Sequence, residues 1–288
     1  MKRILITGEG SYIGRAIEAE LRQAAYTVDT VDVRGGAPSV EAFVGYDAVV
    51  HVAGIVHAKG TKEEVYMRVN RDLAVTCAER AKEAGVRQLV FFSTMNVYGK
   101  AVGRITKDTP PTPRSPYGRS KWEAEQRIGA LRSERFAVCI LRPPMVYGEG
   151  CRGNFRTVES LARRLPVFPR VSNRRSFVFI DHLSAFVRDA IAEVRDGVFF
   201  PRDPEPHNTS HMAATVADAY GKRLYLSHVM GWGVCLLRPF VPMVRKAFGT
   251  LVYEDMGDGA QLCTRFTNDE AVRRACGVCR EQTAERAE

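Results

Sequence analysis

Tyr117 and Lys121 are the residues of this chain whose types and spacing most directly permit chemistry. A phenol and an ammonium four residues apart on a helix share one face, about 6 Å apart along the axis. The positive charge can then lower the pKa of the phenol. We therefore predict that Tyr117 transfers protons. The spacing is common by chance, so its meaning depends on the elements that position the two side chains.

A glycine-rich turn lies close to the start of the chain. Residues 7–14 read Thr-Gly-Glu-Gly-Ser-Tyr-Ile-Gly, after a short apolar run and before a helical pattern. In that context, glycines let backbone N–H groups approach a pyrophosphate at a helix N-terminus. The turn predicts a dinucleotide-binding site.

Asp32 indicates which dinucleotide the turn would bind. It closes the second predicted strand, 18 residues after Gly14. From there its carboxylate can accept hydrogen bonds from an adenosine ribose, and it would repel a 2′-phosphate. The predicted cofactor is therefore NAD rather than NADP, although Arg34 nearby weakens the preference.

Short apolar runs alternate with amphipathic stretches through the first half of the chain. Buried parallel strands read as continuous apolar runs, whereas helices carry apolar residues three and four apart. The alternation predicts right-handed crossovers and an α/β fold, a Rossmann-type doubly wound parallel sheet with a smaller C-terminal substrate-binding region. Ser115 and Pro116 are typical of a helix start, here that of the Tyr117 helix. The predicted strands are 2–7, 28–33, 48–53, 88–93 and 137–141, and the predicted helices include 13–24, 63–84 and 117–131.

Beyond residue 142 the alternation breaks down, and prolines and arginines become frequent. We predict an NAD-binding domain over 1–165, completed by a strand near 177–181. Residues 166–288 are expected to form mainly the substrate-binding region, packed over the carboxyl ends of the strands.

Residues 224–237 form an apolar stretch without Asp, Glu, Lys or Arg. The stretch is too short to cross a bilayer. We predict a buried helix of the smaller region. Because Arg238, Arg245 and Lys246 follow, a membrane-surface element is the less favoured alternative.

Composition is that of an enzyme-sized globular protein, with 288 residues, 45% hydrophobic and 26% charged. The chain reaches its glycine turn too early for the apolar region of a signal peptide, so we expect a cytoplasmic protein. Seven cysteines, an odd number, fit a reducing compartment. Cys276 and Cys279 have metal-like spacing but no second pair, and we predict no metal site.

The net charge of +9 is concentrated in one stretch, residues 152–175, where Glu159 is the only acid. This stretch suits a small polyanionic ligand, and part of it is expected to be a solvated face. Nucleic acid is not predicted as a partner because no recognition motif or series of stacking aromatics is present. The seven arginines are Arg152, Arg156, Arg163, Arg164, Arg170, Arg174 and Arg175.

Several motifs agree in order and spacing with one family. Residues 7–14 look like Thr-Gly-x-x-Gly-x-x-Gly, with Ser11 at the middle glycine, and residues 92–99 read Phe-Ser-Thr-Met-Asn-Val-Tyr-Gly ahead of Tyr117 and Lys121. From Met1 to about Leu183 the chain resembles the extended short-chain dehydrogenase/reductase family, in particular its NAD-dependent epimerase/dehydratase group acting on nucleotide sugars.

The resemblance implies a catalytic set of Thr94, Tyr117 and Lys121. Tyr117 would move a proton to or from a sugar hydroxyl, Thr94 would hydrogen-bond the reacting oxygen, and Lys121 would hold the nicotinamide ribose and lower the tyrosine pKa. The residues implied to bind substrate are Thr94, His57, Asn154 and Arg175. The residues implied to bind NAD are Gly8, Gly10, Ser11, Tyr12, Ile13, Gly14, Asp32, Val33, Val52, Ala53, Gly54, Asn70, Ser93, Tyr117, Lys121 and Pro144.

Departures from the family pattern narrow the reaction. Met95 and Asn96 stand where the dehydratases carry an Asp-Glu pair, and Met145 stands where the best-known galactose epimerases carry an asparagine. The motifs look most like bacterial surface-polysaccharide enzymes that act at C4 of UDP-N-acetylhexosamines. An epimerase is favoured narrowly over a 4-keto-sugar reductase that uses the same residues.

Two further expectations follow from the resemblance. A non-enzymatic dinucleotide sensor is the remaining alternative, although such proteins usually lose the tyrosine or the lysine. The family also commonly dimerises through the helices predicted at 63–84 and 117–131, so we expect a homodimer.

Overall fold

A computed structural model describes residues 2–56, 60–151, 153–257 and 265–278. Six parallel strands form the central sheet in the order β10-β6-β4-β3-β1-β2. The predicted α/β fold is thereby confirmed. The strands are β1 (Arg3–Thr7), β2 (Thr27–Val31), β3 (Ala48–His51), β4 (Gln88–Phe92), β5 (Gly103–Ile105), β6 (Ala137–Leu141), β7 (Met145–Tyr147), β8 (Val167–Pro169), β9 (Phe177–Phe179), β10 (Gly197–Phe199), β11 (Tyr225–Ser227) and β12 (Leu251–Tyr253).

Helices cover both faces of this sheet. Alternate residues of one strand enter opposite cores, as Ile4 and Ile6 do on one face and Leu5 on the other. The helices are α1 (Tyr12–Gln23), α2 (Glu63–Tyr66), α3 (Leu73–Glu83), α4 (Pro116–Gly129), α5 (Asn154–Arg164), α6 (Ile180–Ala192), α7 (Thr209–Ala219), α8 (His228–Leu237), α9 (Pro242–Phe248) and α10 (Asn268–Ala275).

The strand order reverses at β1. The chain runs from β1 outward to β2, and then returns to pair β3 with the other side of β1. In open α/β sheets, ligands bind at the carboxyl ends of strands beside such a switch point. The glycine turn at Gly8 follows β1, so the topology places it there.

The helix predicted over 63–84 is present with one modification. Between α2 and α3, residues Met67–Asp72 form a π-helix rather than α-helical turns. Single π-helical turns are rare and occur often at functional sites. Here the π segment contains Asn70, one of the predicted site residues.

The strand predicted near 177–181 is β9, but it does not complete the central sheet. β9 pairs with β7 in a separate two-stranded sheet, and β10 is the sixth strand. An apolar run shows that a strand is buried but not which strand it pairs with, which explains the wrong assignment.

The prediction of a buried helix at 224–237 is wrong. β11 and α8 occupy this stretch, and within α8 only Gly231 is buried. Trp232 is 76% exposed, and Phe240 beyond the helix is 78% exposed. Helix α8 packs on the rest of the protein through Gly231, so its large apolar side chains point away from the protein. Within the described ranges, no helix is long and apolar enough to span a membrane.

Candidate functional site

The glycine turn between β1 and α1 has the geometry of an anion-binding loop. Gly8 and Gly10 have φ values of 106° and 71°, in the left-handed region that favours glycine. A Cβ on Gly8 would lie 3.0 Å from the backbone of Ala53, so the turn packs directly on the end of β3. A Cβ on Gly10 would meet none of the described atoms within 4 Å, which leaves room for a ligand to approach the backbone.

Ser11, which replaces the middle glycine of the family pattern, caps helix α1. Its backbone is extended (φ −68°, ψ 149°), and its Oγ accepts a hydrogen bond from Gly14 N at 3.1 Å. A residue with this backbone conformation need not be glycine. Helix geometry leaves the N–H groups of Tyr12 and Ile13 without intrahelical acceptors, so they can bind a phosphate. The loop therefore fits the pyrophosphate of a dinucleotide.

Asp32 lies just past β2, where Arg34 holds its carboxylate. Arg34 Nη2 lies 2.7 Å from Asp32 Oδ2, and Arg34 N donates to Oδ1 at 2.9 Å. Hydrogen bonds from Arg34 lower the pKa of Asp32, so the carboxylate is ionised and can accept from a ribose hydroxyl. The guanidinium also offsets part of the repulsion that Asp32 exerts on a 2′-phosphate. Val33 follows as a buried side chain that packs in the core.

The end of β3 brings the glycine turn next to the predicted catalytic lysine. Val52 N and Ala53 N both donate to Thr7 O, at 3.2 and 3.1 Å. A Cβ on Gly54 would lie 3.0 Å from Asn70 Oδ1 and 3.3 Å from Lys121 Nζ. Glycine at residue 54 lets the backbone approach both polar groups closely.

Asn70 ties this backbone to the helix that carries Tyr117. Its side chain is fully buried; Oδ1 accepts from Ile55 N at 2.8 Å, and Nδ2 donates to Ile55 O at 3.0 Å and to Ser120 Oγ at 3.2 Å. Ser120 Oγ in turn donates to Tyr117 O at 2.9 Å. Asn70 is therefore a positioning residue for the loop after β3 and for α4.

Thr94 and Tyr117 meet by a side-chain hydrogen bond. Helix α4 begins as predicted, with Ser115 Oγ accepting from Gly118 N at 3.0 Å and Pro116 in the first turn. Burial raises the pKa of Tyr117 to about 12, and the hydrogen bond with Thr94 opposes that rise. The phenol is thus protonated at neutral pH.

Lys121 is buried one helical turn after Tyr117, on the same helix α4. Burial lowers its pKa to about 8, and its Nζ donates to Phe92 O at 2.7 Å. The influences that set the pKa of Tyr117 in this arrangement are burial and Tyr66, which raise it, and the hydrogen bond with Thr94, which lowers it. His51, also buried, has its pKa lowered to about 3 by burial and by Lys121, and is neutral.

A buried polar network behind Lys121 was not predicted. Ser93 donates a hydrogen bond to the carboxylate of Glu125, and the same carboxylate pairs with Arg142 at 2.6 Å. Arg142 Nη1 in turn donates to Tyr98 OH at 2.8 Å. Glu125 lies one helical turn after Lys121, so the spacing of the two residues in the sequence was a usable signal. Arg142 lies just after β6, and no local pattern identifies it as the partner of Glu125 on α4. Ser93 is thus a buried partner of Glu125, and Pro144 is buried at the start of β7.

Arg175 is the predicted substrate residue with the clearest physical role. Its side chain is 8% exposed, and Nη1 donates to Gly249 O at 2.9 Å. Within the described part of the chain, no carboxylate pairs with it. Burial lowers the pKa of Arg175, and arginine nonetheless stays charged. An unneutralised, largely buried guanidinium of this kind is suited to a phosphate ligand.

The other predicted substrate residues are less constrained. Asn154 is the first residue of α5, directly after Gly153 (φ 108°), and is partly buried. His57 lies outside the described residues. Of the remaining arginines of the basic stretch, Arg170 bonds His228 and Arg174 bonds Glu254, both at the surface. Arg156, Arg163 and Arg164 line a cavity of about 340 Å³ on α5 that does not include Tyr117. Arg152 lies outside the described residues, and among the described arginines of the stretch Arg175 is the buried one.

A second unpredicted cluster holds the segment that carries Arg175. Asp203 is 2% exposed and accepts hydrogen bonds from His182 at 2.9 Å, His207 at 2.7 Å and Tyr147 OH at 2.8 Å. The backbones of His207 and Arg175 pair in both directions, at 2.8 and 2.7 Å. Asp203 therefore positions Arg175 through His207.

The comparisons with known proteins agree with this geometry. The model of the NAD dependent epimerase/dehydratase family matches residues 4–198. The chain belongs to this family. It is accordingly an NAD-dependent enzyme of the epimerase/oxidoreductase type, and NAD is its cofactor.

Relatives of this chain include 4-epimerases named for sugars that are attached through a diphosphate to a nucleoside or to a lipid. The chain is 28% identical to a UDP-glucose 4-epimerase of Vibrio cholerae over 80% of each chain. It is 25% identical to an N-acetyl-α-D-glucosaminyl-diphospho-ditrans,octacis-undecaprenol 4-epimerase of Escherichia coli O157:H7, over 69% of this chain and 62% of that protein. The solved structure of a UDP-glucuronic acid 4-epimerase from Bacillus cereus in complex with NAD has the same fold, with a TM-score of 0.74, 18% identity, and coverage of 97% of this chain and 99% of that one.

Proposed function

We propose that this chain is a nucleotide-sugar epimerase that inverts C4 of a UDP-hexose or a UDP-N-acetylhexosamine. The observation that carries the proposal is the hydrogen-bonded pair of Thr94 and Tyr117, with Lys121 one turn further along α4. The 4-epimerase relatives support the reaction class.

The side chains divide the proton chemistry between them. When bound, NAD supplies reversible hydride acceptance at C4 of the sugar. The ionised form of Tyr117, the minor form at neutral pH, takes the proton of the C4 hydroxyl during oxidation, and the resulting phenol returns that proton during reduction. Thr94 holds the same oxygen through its hydroxyl, and Lys121 holds the nicotinamide ribose.

A dehydratase is not supported because the residues after Thr94 cannot remove water. Met95 has no titratable group and is 8% exposed. Asn96 donates through its backbone N and its Nδ2 to Thr94 Oγ1, each at 3.2 Å. Neither residue supplies the acid and base that an elimination needs.

Arg175 supports a substrate that carries a diphosphate. Its planar guanidinium is held by Gly249 O and lacks a carboxylate partner in the described ranges, so an anion would complete its interactions. The UDP-glucose 4-epimerase relative is named for a substrate of this kind.

A second candidate substrate is a sugar carried on a polyprenyl diphosphate. The Escherichia coli relative is named for such a substrate. The observation that favours it here is the exposed apolar side of α8. The next helix, α9, is followed directly by Gly249, whose carbonyl holds Arg175. The reaction at C4 and the roles of Thr94, Tyr117 and Lys121 would be unchanged.

The test is incubation of the purified protein with UDP-N-acetylglucosamine and, separately, UDP-glucose, first without added cofactor and then with NAD. NMR would show the C4 epimer if the proposal is right. We expect Tyr117→Phe to lower the rate by about a hundredfold or more, because the proton-transfer group is lost. Tyr220→Phe, whose hydroxyl donates to Glu159 and to the Cys276 carbonyl, is the matched control and should keep the rate.

Two outcomes would contradict the proposal. Full turnover by Tyr117→Phe would remove Tyr117 from the chemistry. Absence of an epimer from either sugar, together with NADH-dependent consumption of a UDP-4-keto-sugar, would instead identify a 4-keto-sugar reductase.

A further inference from the structure

Helices α8 and α9 present an unusual concentration of exposed apolar side chains. The described residues include fourteen large hydrophobic side chains that are exposed, and eight of them fall between Tyr225 and Met243. Contiguous exposed apolar surface usually marks an interaction site. We call the following set the apolar face: Val229, Met230, Trp232, Leu236, Leu237, Phe240 and Met243.

The fold holds the apolar face outward on a fixed support. A Cβ on Gly231 would lie 2.1 Å from Arg170 O, so α8 rests on the chain after β8 through a glycine. Ser227 Oγ caps the helix by accepting from Met230 N at 3.3 Å. Larger side chains cannot occupy the contact with Arg170 and therefore project from the other sides of the helix. The exposure is thus a consequence of how α8 is seated.

Basic residues accompany the apolar face without any acid. From Ala219 to Tyr253 the sequence contains no Asp or Glu. Such a combination of large apolar and basic side chains is complementary to a surface that is apolar inside and negatively charged outside. The exposed basic residues of this stretch are Lys222, Arg223, Arg238, Arg245 and Lys246.

A second copy of the chain would be a poor occupant of the apolar face. A two-fold interface places the same patch on both subunits, so the basic residues of one copy would meet those of the other. Juxtaposed like charges oppose association. An anionic lipid surface accepts the apolar side chains and neutralises the basic ones at the same time.

We propose that the apolar face of α8 and α9 docks on an anionic phospholipid bilayer. α8 lies in the plane of the interface, since its ten residues are too few to span a bilayer. Trp232 and Phe240 enter the boundary between headgroups and acyl chains, and Arg238, Arg245 and Lys246 contact the lipid phosphates. Because Gly249 at the end of α9 holds Arg175, docking would bring the candidate phosphate site close to the bilayer.

Flotation of the full-length protein with lipid vesicles tests this proposal. We expect it to float with vesicles of phosphatidylcholine and phosphatidylglycerol, much less with phosphatidylcholine alone, and less as salt rises. Emission from Trp232 should shift to shorter wavelength on binding, and Trp232→Phe should remove that shift; Trp122 is the chain's other tryptophan.

Exposed residues allow matched variants that leave the core intact. The double variant Trp232→Ser and Phe240→Ser should weaken vesicle binding by about tenfold or more, because it removes the two largest apolar anchors. Val44→Ser, also exposed but outside the apolar face, is the control. Replacing Arg238, Arg245 and Lys246 by Gln should abolish the preference for anionic lipid, whereas replacing the exposed Lys100, Lys107 and Arg135 should not.

Several results would overturn the proposal. The wild-type protein could stay with the lipid-free fraction at low salt, or the double variant could float as well as the wild type. Alternatively, light scattering could show self-association that the double variant abolishes, which would make the apolar face an interface between copies. None of these results bears on the epimerase assay, which uses soluble sugars.

Discussion

Thr94 controls Tyr117 through one hydrogen bond. Asn96 donates twice to Thr94 Oγ1, so the hydroxyl hydrogen of Thr94 is left to point at the phenol. A donor to the phenol oxygen stabilises the ionised form and lowers its pKa. Thr94 thereby partly offsets the burial that raises the pKa of Tyr117 to about 12.

We therefore expect Thr94→Val to raise the pKa of Tyr117 further. The rate limb that depends on ionised Tyr117 should move to higher pH, and kcat at neutral pH should fall by about tenfold to a hundredfold. The pH profile of kcat and an absorbance titration of tyrosinate would measure both effects. Thr94→Ser keeps the hydroxyl and should restore the wild-type profile. An unchanged profile in Thr94→Val would rule out this role.

At the scale of residues, functional side chains could be predicted from the sequence where they lie near one another in the chain. Thr94, Tyr117 and Lys121 belong to motifs with fixed spacing, and the structure brings Thr94 and Tyr117 into contact. Arg142 and Asp203 escaped prediction because most of their partners lie far away in the sequence, His207 being four residues from Asp203. Their significance depends on burial, which a single residue in a sequence does not reveal.

At the scale of elements, Asp203 joins three elements that are separate in the sequence. It accepts from His182 of α6, from Tyr147 of β7 and from His207, which precedes α7. Although burial alone would raise its pKa, hydrogen bonds from His182 and His207 lower the pKa of Asp203 to about 2. A carboxyl with a depressed pKa in the folded state stabilises the fold above its unfolded-state pKa, and this contribution is lost as pH falls through the folded-state value.

We predict that Asp203 contributes about 2 kcal/mol to the free energy of unfolding at neutral pH, lost between about pH 4 and pH 2. Urea unfolding across that interval would show the loss. Asp203→Asn should destabilise the protein by about 3 kcal/mol at pH 7 and flatten the pH dependence, because two histidines and a tyrosine lose an ionised acceptor. Asp269→Asn, whose partner His211 is exposed, is the control and should change little. Equal effects of the two variants would contradict the prediction.

Helices and strands were predicted well where burial alone specifies them. The five predicted strands of the central sheet and the Tyr117 helix follow from apolar runs and from the Ser115 cap. Helix α8 was predicted wrongly because an apolar stretch of that length is usually buried. Its exposure arises from the seating of Gly231 against Arg170, a tertiary contact that no periodicity encodes.

At the scale of the whole molecule, we propose a homodimer formed through α3 and α4. Arg71 of the π segment pairs with Glu123 of α4 at 2.6 Å. Glu63 of α2 pairs with Arg119 of α4 at 2.7 Å, so these helices are held together as one surface. Light scattering should give about twice the chain mass of 32.1 kDa. The Trp232→Ser and Phe240→Ser variant should keep that mass because its changes lie elsewhere. A mass of one chain would refute the dimer.

The position of β10 at the edge of the central sheet has a consequence for how the chain folds during synthesis. β10 comes from residues 197–199 yet pairs with β6, and Gln88 of β4 donates to Ala190 O and Arg195 O. Lys2 Nζ donates to Ile191 O, so the first residues also gain this contact only after residue 191 has been synthesised. About two thirds of the chain must therefore be synthesised before the sixth strand can pair with β6. Until then, the outer edge of β6 has no strand beside it and Gln88 lacks its two carbonyl acceptors.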